Sequence, residues 1–221
     1  MSTKGADGFS SDYWSKNYSE PESMDGLANA KEHAAYIKAF FELELVNISS
    51  IADFGFGYGH LFEETIKAFI PYRATGIEPS KHVFDLFKEK YKSPADSIKL
   101  KLKNTDLVSW VNKRTKKSKF FDLGICTSVF QYLSDEEIDL VLPELSQSVK
   151  YMYFSVPTDI ELERQVTELD FHDEYAIRRS KEFYREKLSP YFKVIGSRFL
   201  ESKKHFDEET TSFTDYLFRY D

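Results

Sequence analysis

Three glycines at alternate positions follow a β-rich apolar segment and precede a helix-like run in IADFGFGYGHLFEE, residues 51–64. Glycine adopts positive φ at no steric cost and lets the backbone approach a neighbour closely. A strand, a glycine turn and a helix in immediate succession are typical of the crossover connection that joins two parallel strands in α/β folds. This segment restricts the fold more than any other feature of the sequence.

The rest of the chain repeats the alternation of strands and helices. Hydrophobic periodicity and turn residues predict helices at 27–45, 60–70, 79–91, 106–113, 134–149 and 178–188. They predict strands at 50–55, 72–78, 97–104, 120–130, 150–157, 192–201 and 212–220. We therefore expect an α/β fold, Rossmann-like, with an open and mostly parallel sheet and helices on both faces.

Length and composition indicate the class of protein. The 221 residues suit a single domain, and a net charge of −7 argues against nonspecific attraction to nucleic acid. The lone Cys126 excludes an internal disulfide and favours a reducing compartment. With neither a signal peptide nor an apolar run of membrane-spanning length, we expect a cytoplasmic protein that binds no membrane.

The domain organisation expected from the sequence is simple. Residues 1–25 are rich in Ser, Asp and Gly and are expected to form a flexible N-terminal segment or lid. Residues 26–221 are expected to form one domain, with a lid insertion around 158–178.

The glycine spacing separates two kinds of nucleotide-like ligand. Dinucleotide-binding enzymes use G-x-G-x-x-G, which leaves room for a pyrophosphate, and the glycines of residues 55–59 do not complete that pattern. An acid at Asp53 suits an ammonium group instead. Glu78 ends the next predicted strand, 25 residues later, where a carboxylate accepts hydrogen bonds from two ribose hydroxyls. The spacing therefore disfavours a nucleotide-binding oxidoreductase.

At these motifs the sequence resembles the class I S-adenosylmethionine-dependent methyltransferases. IADFGFGYGHL resembles their first motif, ATGIEPS the ribose-binding second, and KNTDL the adenine-contacting third. FDLGICTSVFQYLSDEE and YMYFSVP resemble the segments of the fourth and fifth strands. The resemblance covers about residues 50–157 and implies seven strands with the last antiparallel, and S-adenosylmethionine as cofactor.

The resemblance also implies roles for individual residues. Asp53 and the three glycines would line the methionine end of the cofactor, and Glu78 would bind the ribose. Asp106 would contact the adenine amino group, although an N-cap role for the following helix is the alternative. The implied cofactor-binding set is Asp53, Gly55, Gly57, Gly59, Glu78, Asp106, Leu107, Thr127 and Ser128.

The acceptor side is less constrained by the sequence. Tyr13, Trp14 and Tyr18 in the N-terminal segment are predicted to bind substrate as a lid. In DFHDEY, His172 is the histidine nominated as general base and Tyr175 as its catalytic neighbour, with surface exposure or simple packing as the alternatives. No spacing of His and acids indicates a metal site, so none is expected.

Methyl transfer to a small-molecule acceptor is the expected function, in a monomer or homodimer. One alternative is a catalytically inactive binding module, in which Phe56 and Tyr58 fill the cofactor site. Another is a protein or RNA acceptor. The basic run at 112–119 enters its strand from the amino end, opposite the expected site, so nucleic acid is an unlikely partner.

Overall fold

The computed structural model describes residues 9, 13–14, 27–115 and 118–206. Within these residues the strands are β1 (Ser50–Phe54), β2 (Arg73–Glu78), β3 (Lys99–Asn104), β4 (Phe121–Thr127), β5 (Val149–Ser155), β6 (Phe192–Gly196) and β7 (Phe199–Ser202). The helices are α1 (Leu27–Leu43), α2 (His60–Phe69), α3 (Lys81–Lys90), α4 (Leu107–Asn112), α5 (Asp135–Ser148), α6 (Asp159–Leu169) and α7 (Lys181–Leu188). A short 3₁₀ turn covers Phe130–Tyr132.

The strands form one sheet in the order β3-β2-β1-β4-β5-β7-β6. The first five strands are parallel, and Asp53 of β1 lies in register with Gly76 of β2 and Ile125 of β4. β7 runs antiparallel to both β5 and β6. The predicted Rossmann-like sheet is confirmed. Its strand order reverses between β1 and β4, where ligands of open α/β sheets bind.

Alternation along β1 divides the core between the two faces of the sheet. Ala52 and Phe54 pack with residues of α4, α5 and α7 on one face. Ile51 packs with residues of α1, α2 and α3 on the other. Because successive strand residues point to opposite faces, each strand contributes to both cores. Burying one large apolar side chain contributes roughly 1.5–3 kcal/mol, so two continuous cores hold the sheet edge rigid beneath the site.

A capping box begins α5. The Ser134 hydroxyl accepts a hydrogen bond from the Glu137 N–H at 3.2 Å, and Glu137 accepts one from the Ser134 N–H at 2.7 Å. These reciprocal bonds satisfy two donors that a helix start otherwise leaves free. They fix the chain direction immediately after the turn that follows β4.

Three features differ from the sequence prediction. Residues 192–201 were predicted as one strand, but they form the β6–β7 hairpin, with Arg198 at φ +66° in its turn. The segment after β5 contains α6, which was not predicted. The predicted strand at 120–130 ends at Thr127 and continues as the 3₁₀ turn. The predicted strand at 212–220 lies outside the described residues.

None of the described helices has the length and apolar character needed to span a bilayer.

Candidate functional site

A cavity of about 700 Å³ lies at the carboxyl edge of the sheet. Its β1–β3 side is formed by the 55–59 loop, Glu78 and the start of α4. Its β4–β7 side is formed by residues after β4, by the ends of β5 and by the β6–β7 turn. The volume falls within the 300–1,000 Å³ typical of ligand sites, and the position is the one that the strand order predicts.

Hydrogen bonds within the protein fix the glycine loop. The N–H groups of Gly55 and Phe56 both donate to the Ile77 carbonyl, at 2.9 and 3.2 Å. Gly59 N–H donates to the Phe56 carbonyl at 2.7 Å, and Gly57 N–H donates to Glu78 Oε2 at 2.9 Å. All three glycine N–H groups therefore have partners within the protein, so these glycines offer a ligand close backbone approach rather than free donors.

Two of these glycines have different reasons to be glycine. At Gly59, with φ +81°, a Cβ atom would collide with the Phe87 ring, so this position allows α2 to begin against the core. At Gly57, with φ +55°, a Cβ atom would point to within 3.3 Å of the Trp14 ring, in the cavity. Gly59 therefore serves the fold, whereas Gly57 keeps the cavity open.

The bulky residues between the glycines do not fill the cavity. Phe56 is only 8% exposed, and its ring packs in the core at a centroid distance of 4.9 Å from Phe87. The half-buried Tyr58 ring meets the Trp14 ring edge to face at a centroid distance of 5.1 Å. Both side chains form parts of the wall. These positions argue against the alternative of an inactive binding module, in which Phe56 and Tyr58 would fill the cofactor site.

Two buried carboxyl groups lie beneath the loop. Glu78 is 3% exposed and accepts from Gly57 N–H through Oε2 and from Ser80 N–H through Oε1, at 2.9 and 2.8 Å. Burial raises the pKa of Glu78 to about 7, although these two hydrogen bonds oppose the shift. Asp53 is 4% exposed, and burial, together with the nearby Glu78 charge, raises its pKa well above the usual value.

The two acids differ in their bonding. Among the described residues, Asp53 has neither a hydrogen-bond nor an ion-pair partner, and it is not one of the residues that line the cavity, whereas the next residues in the chain, Phe54 and Gly55, are. A buried acid without a partner is costly unless a cation neutralises it. The Glu78 carboxylate has further lone pairs and forms part of the wall, so it still accepts hydrogen bonds from a ligand.

The remaining predicted cofactor residues lie along the same edge. Asp106 is the N-cap of α4, and its Oδ1 accepts from Ser109 N–H at 2.7 Å, so the capping alternative is observed. Leu107 is buried behind it, and both residues line the cavity. Thr127 and Ser128 also line it. The Ser128 N–H is already used, because it donates to the Ser155 carbonyl at 2.9 Å.

The predicted catalytic residues are not brought to the cavity. His172 is exposed and Tyr175 is half-buried, and neither lines the wall. In this irregular segment Asp173 turns inward instead, accepting hydrogen bonds from Tyr132 at 2.5 Å and from Tyr13 at 3.4 Å. The nomination of His172 as base therefore lacks geometric support.

Of the predicted substrate residues, Tyr13 and Trp14 line the cavity, and Tyr18 lies outside the described residues. The Tyr13 ring lies 5.4 Å from that of Tyr175. Tyr175 thus supports the wall from behind. No group of metal-ligating side chains occurs among the described residues.

Sequence reasoning missed a polar cluster on the β4–β7 side, formed by His33 of α1, Tyr153 of β5 and Arg198. His33 Nδ1 lies 2.5 Å from the Tyr153 hydroxyl. Arg198 Nη1 lies 3.1 Å from each ring nitrogen of His33 and 3.3 Å from that hydroxyl. Burial, and then the Arg198 charge, lower the pKa of His33. The available signal was helical spacing, which places His33 on the face of the buried Ile37 and Phe41.

Comparisons with known proteins agree with this geometry. A family model described as a methyltransferase domain matches residues 51–151, and none of the curated proteins compared matches the chain. The plantazolicin methyltransferase BpumL, solved in complex with SAH, shares 17% identity with a TM-score of 0.61, covering 79% of this chain and 68% of that one.

Two further solved structures share the fold. The N-methyltransferase NodS from Bradyrhizobium japonicum WM9, in complex with S-adenosyl-l-homocysteine, is 12% identical with a TM-score of 0.57, covering 83% of this chain and 91% of that one. Magnesium protoporphyrin IX methyltransferase (ChlM) from Synechocystis PCC 6803, with bound SAH, is 16% identical with a TM-score of 0.55, covering 90% and 94%. Residues 51–151 thus match a methyltransferase domain, and the whole sheet shares the fold of methyltransferases solved with S-adenosylhomocysteine bound.

Proposed function

We propose that this protein transfers a methyl group from S-adenosylmethionine to a small-molecule acceptor by in-line displacement. The observation that carries the proposal is the continuity of the cavity. One open volume of about 700 Å³ joins the glycine loop and Glu78 to the ends of β4 and β5. A donor on the β1–β3 side and an acceptor on the β4–β7 side therefore fit into the same enclosed space.

The residues of the β1–β3 side fit the cofactor chemically. Glu78 has acceptor lone pairs left for two ribose hydroxyls, beyond the two backbone N–H groups that it already binds. Asp53, which has no partner among the described residues, would supply a negative charge to an amino group of the methionine part, whose own positive charge would favour ionisation of this raised-pKa carboxyl. Leu107 supplies an apolar surface for the adenine ring, beside Asp106.

The bound cofactor would supply an electrophilic methyl group on a sulfonium. The protein then has to orient the acceptor, and orientation of bound reactants contributes roughly 7–11 kcal/mol in favourable cases. Tyr13, Trp14 and Tyr132 give the cavity an aromatic wall that excludes water from the acceptor. A general base is needed only where the acceptor atom carries a proton that must leave.

Charge and shape support a small acceptor over a macromolecule. The chain carries a net charge of −7, and the cavity is partly enclosed by the aromatic side chains of the N-terminal segment. The names of the structural neighbours span a plantazolicin, an N-methyl and a porphyrin methyltransferase, so they do not select an acceptor. Cytoplasmic location and a monomeric or homodimeric state stay predictions.

The proposal is tested first by thermal unfolding with S-adenosylhomocysteine, on wild type, Glu78→Ala and Glu89→Ala. Glu89 is an exposed acid of α3, so it is the matched control. A ligand at 100 times its Kd stabilises by about 2.7 kcal/mol. We expect this shift in wild type and in the control, and a roughly 10- to 100-fold weaker Kd in Glu78→Ala, because charged hydrogen bonds are lost.

Transfer is then followed with S-adenosylmethionine carrying a labelled methyl group and separate pools of metabolites, protein and RNA. Label is expected in the metabolite pool. Label only in protein or RNA would contradict the small-molecule acceptor. No effect of S-adenosylhomocysteine on wild type would contradict the function as a whole.

A further inference from the structure

Arg198 is a cation on the cavity wall that no carboxylate of residues 27–115 or 118–206 neutralises. Within the described part of the chain its guanidinium makes hydrogen-bond contacts through Nη1 alone, to His33 and Tyr153. The lowered pKa of His33 leaves its imidazole neutral near pH 7, and a Tyr153 phenol is neutral as well. No carboxylate of the described chain forms an ion pair with Arg198. Nε and Nη2 of Arg198 are therefore available to a ligand.

The other charged groups on the wall are already engaged. Glu78 accepts two backbone hydrogen bonds, Asp106 caps α4, and Glu137 closes the capping box of α5. Of the described residues that line the cavity, Arg198 is the only Arg or Lys. The part of the cavity wall that the structure describes thus presents one free positive charge, on the β4–β7 side.

The position of Arg198 in the sheet assigns that charge to the acceptor side. Arg198 directly precedes β7, which lies three strands from β1 in the order β1-β4-β5-β7. Neighbouring strands are about 4.8 Å apart, so the Arg198 backbone lies roughly 14 Å from β1, and its guanidinium reaches back as far as Tyr153 of β5. The donor's ribose and adenine residues lie in the opposite direction, on β2 and after β3.

We propose that Arg198 binds an anionic group of the acceptor, a carboxylate or a phosphate, at the end of the cavity away from the glycine loop. Tyr153 and His33 are positioning residues, because they hold the Nη1 edge and turn the other N–H groups toward the ligand. A guanidinium recognises carboxylate and phosphate through paired N–H groups. This inference rests on the proposed function and narrows its acceptors to anionic small molecules.

The test is calorimetric titration of benzoate, its neutral analogue benzamide, and inorganic phosphate, each with and without S-adenosylhomocysteine. The variants are Arg198→Gln, Arg198→Lys and Tyr153→Phe. Arg178→Gln is the matched control, since Arg178 is an exposed arginine paired with Glu163 outside the cavity. S-adenosylhomocysteine is titrated separately into every variant.

We expect wild type to bind benzoate or phosphate at least tenfold more tightly than benzamide. Arg198→Gln should weaken that affinity about tenfold or more, since about 1.4 kcal/mol corresponds to a factor of ten. Arg198→Lys should retain part of it. Tyr153→Phe should weaken it about threefold with the unfolding midpoint and S-adenosylhomocysteine affinity unchanged, which a purely structural role would not produce. The control should match wild type.

Three results would overturn the inference. The first is equal affinity for benzoate, phosphate and benzamide, or no anion binding at all. The second is anion affinity that survives in Arg198→Gln. The third is loss of S-adenosylhomocysteine affinity in Arg198→Gln, which would assign the cation to the donor's own carboxylate. Failure of wild type to bind S-adenosylhomocysteine, with anion binding intact, would instead contradict the proposed function and leave Arg198 as an anion site.

Discussion

The two sides of the cavity are held in place by different kinds of interaction. On the β1–β3 side, backbone hydrogen bonds fix the 55–59 loop to Ile77 and Glu78. On the β4–β7 side, side chains such as Arg179, Asp173 and Tyr153 join segments that are distant in the chain. The side held by backbone hydrogen bonds is encoded by short sequence motifs such as the glycine loop, in which few substitutions are tolerated. A wall held by side chains changes shape with single substitutions, which suits the part of a site that selects the acceptor.

Gly59→Ala should produce the largest effect on the backbone-held side. Its Cβ atom would overlap the Phe87 ring, and its φ of +81° is strained for alanine. We expect a loss of about 3 kcal/mol in the free energy of unfolding, from overpacking and backbone strain together. Denaturant unfolding measures it. Gly57→Ala is the matched control, expected to cost about 1 kcal/mol because its Cβ atom points into the cavity. Equal losses would contradict the distinction between the two glycines.

The buried acids should make stability fall as pH rises. The pKa of Glu78 is raised from 4.5 to about 7, so the folded state binds this proton more tightly than the unfolded state. The stabilising contribution is complete below pH 4.5, decreases through the window from 4.5 to 7, and is absent above it. Wild type without ligand should lose up to about 3 kcal/mol across that window. The raised pKa of Asp53 acts in the same direction.

Chemical unfolding at pH 5 and pH 8 measures this dependence. Glu78→Gln has no titrating group at this position, so its free energy of unfolding should decrease less between pH 5 and pH 8 than that of wild type. Affinity for S-adenosylhomocysteine should rise with increasing pH, because ionisation of the raised-pKa Asp53 carboxyl makes it available to an ammonium. Equal pH dependence in wild type and Glu78→Gln would contradict the assignment of the raised pKa.

Arg179→Met should produce a smaller effect on the side-chain-held wall. Arg179 is 7% exposed and donates to Asp135 and to the carbonyls of Leu133 and Phe130, at 2.7, 2.7 and 3.3 Å. Asp135 is largely exposed, which limits the value of the ion pair. We expect a loss of about 2 kcal/mol, mostly from the unsatisfied carbonyls. Arg178→Met, which removes an exposed pair, should cost at most about 0.5 kcal/mol.

The difference between the two sides of the cavity also explains why the sequence predicts the residues of one side and not those of the other. The β1–β3 side could be predicted because Asp53, Glu78 and Asp106 lie at or just beyond the carboxyl ends of β1, β2 and β3, and parallel strands bring these ends to one edge. The β4–β7 side could not be predicted from the sequence, because only tertiary packing brings His33, Tyr153 and Arg198 together. Gly196 and Ser197 do form a turn signal within residues 192–201, and the prediction of one continuous strand there missed the turn that contains Arg198.

Other differences had a signal in the sequence. Thr158 and Glu161 form a capping box at the start of α6, and this spacing was present in PTDIELE. No signal in the sequence indicated that His172 is exposed, because neighbouring acids favour a charged histidine equally in a cavity and in solvent. The seven-stranded fold was predictable, whereas the orientation of DFHDEY was decided by the hydrogen bonds to Asp173.

A crystal structure with S-adenosylhomocysteine bound tests the division of the cavity most directly. The account predicts the adenine beside Leu107, the ribose on Glu78, the methionine part along the 55–59 loop, and an open volume between the sulfur and Arg198. A ligand carboxylate bound to Arg198, or a nucleoside lying over β5 and β7, would contradict it.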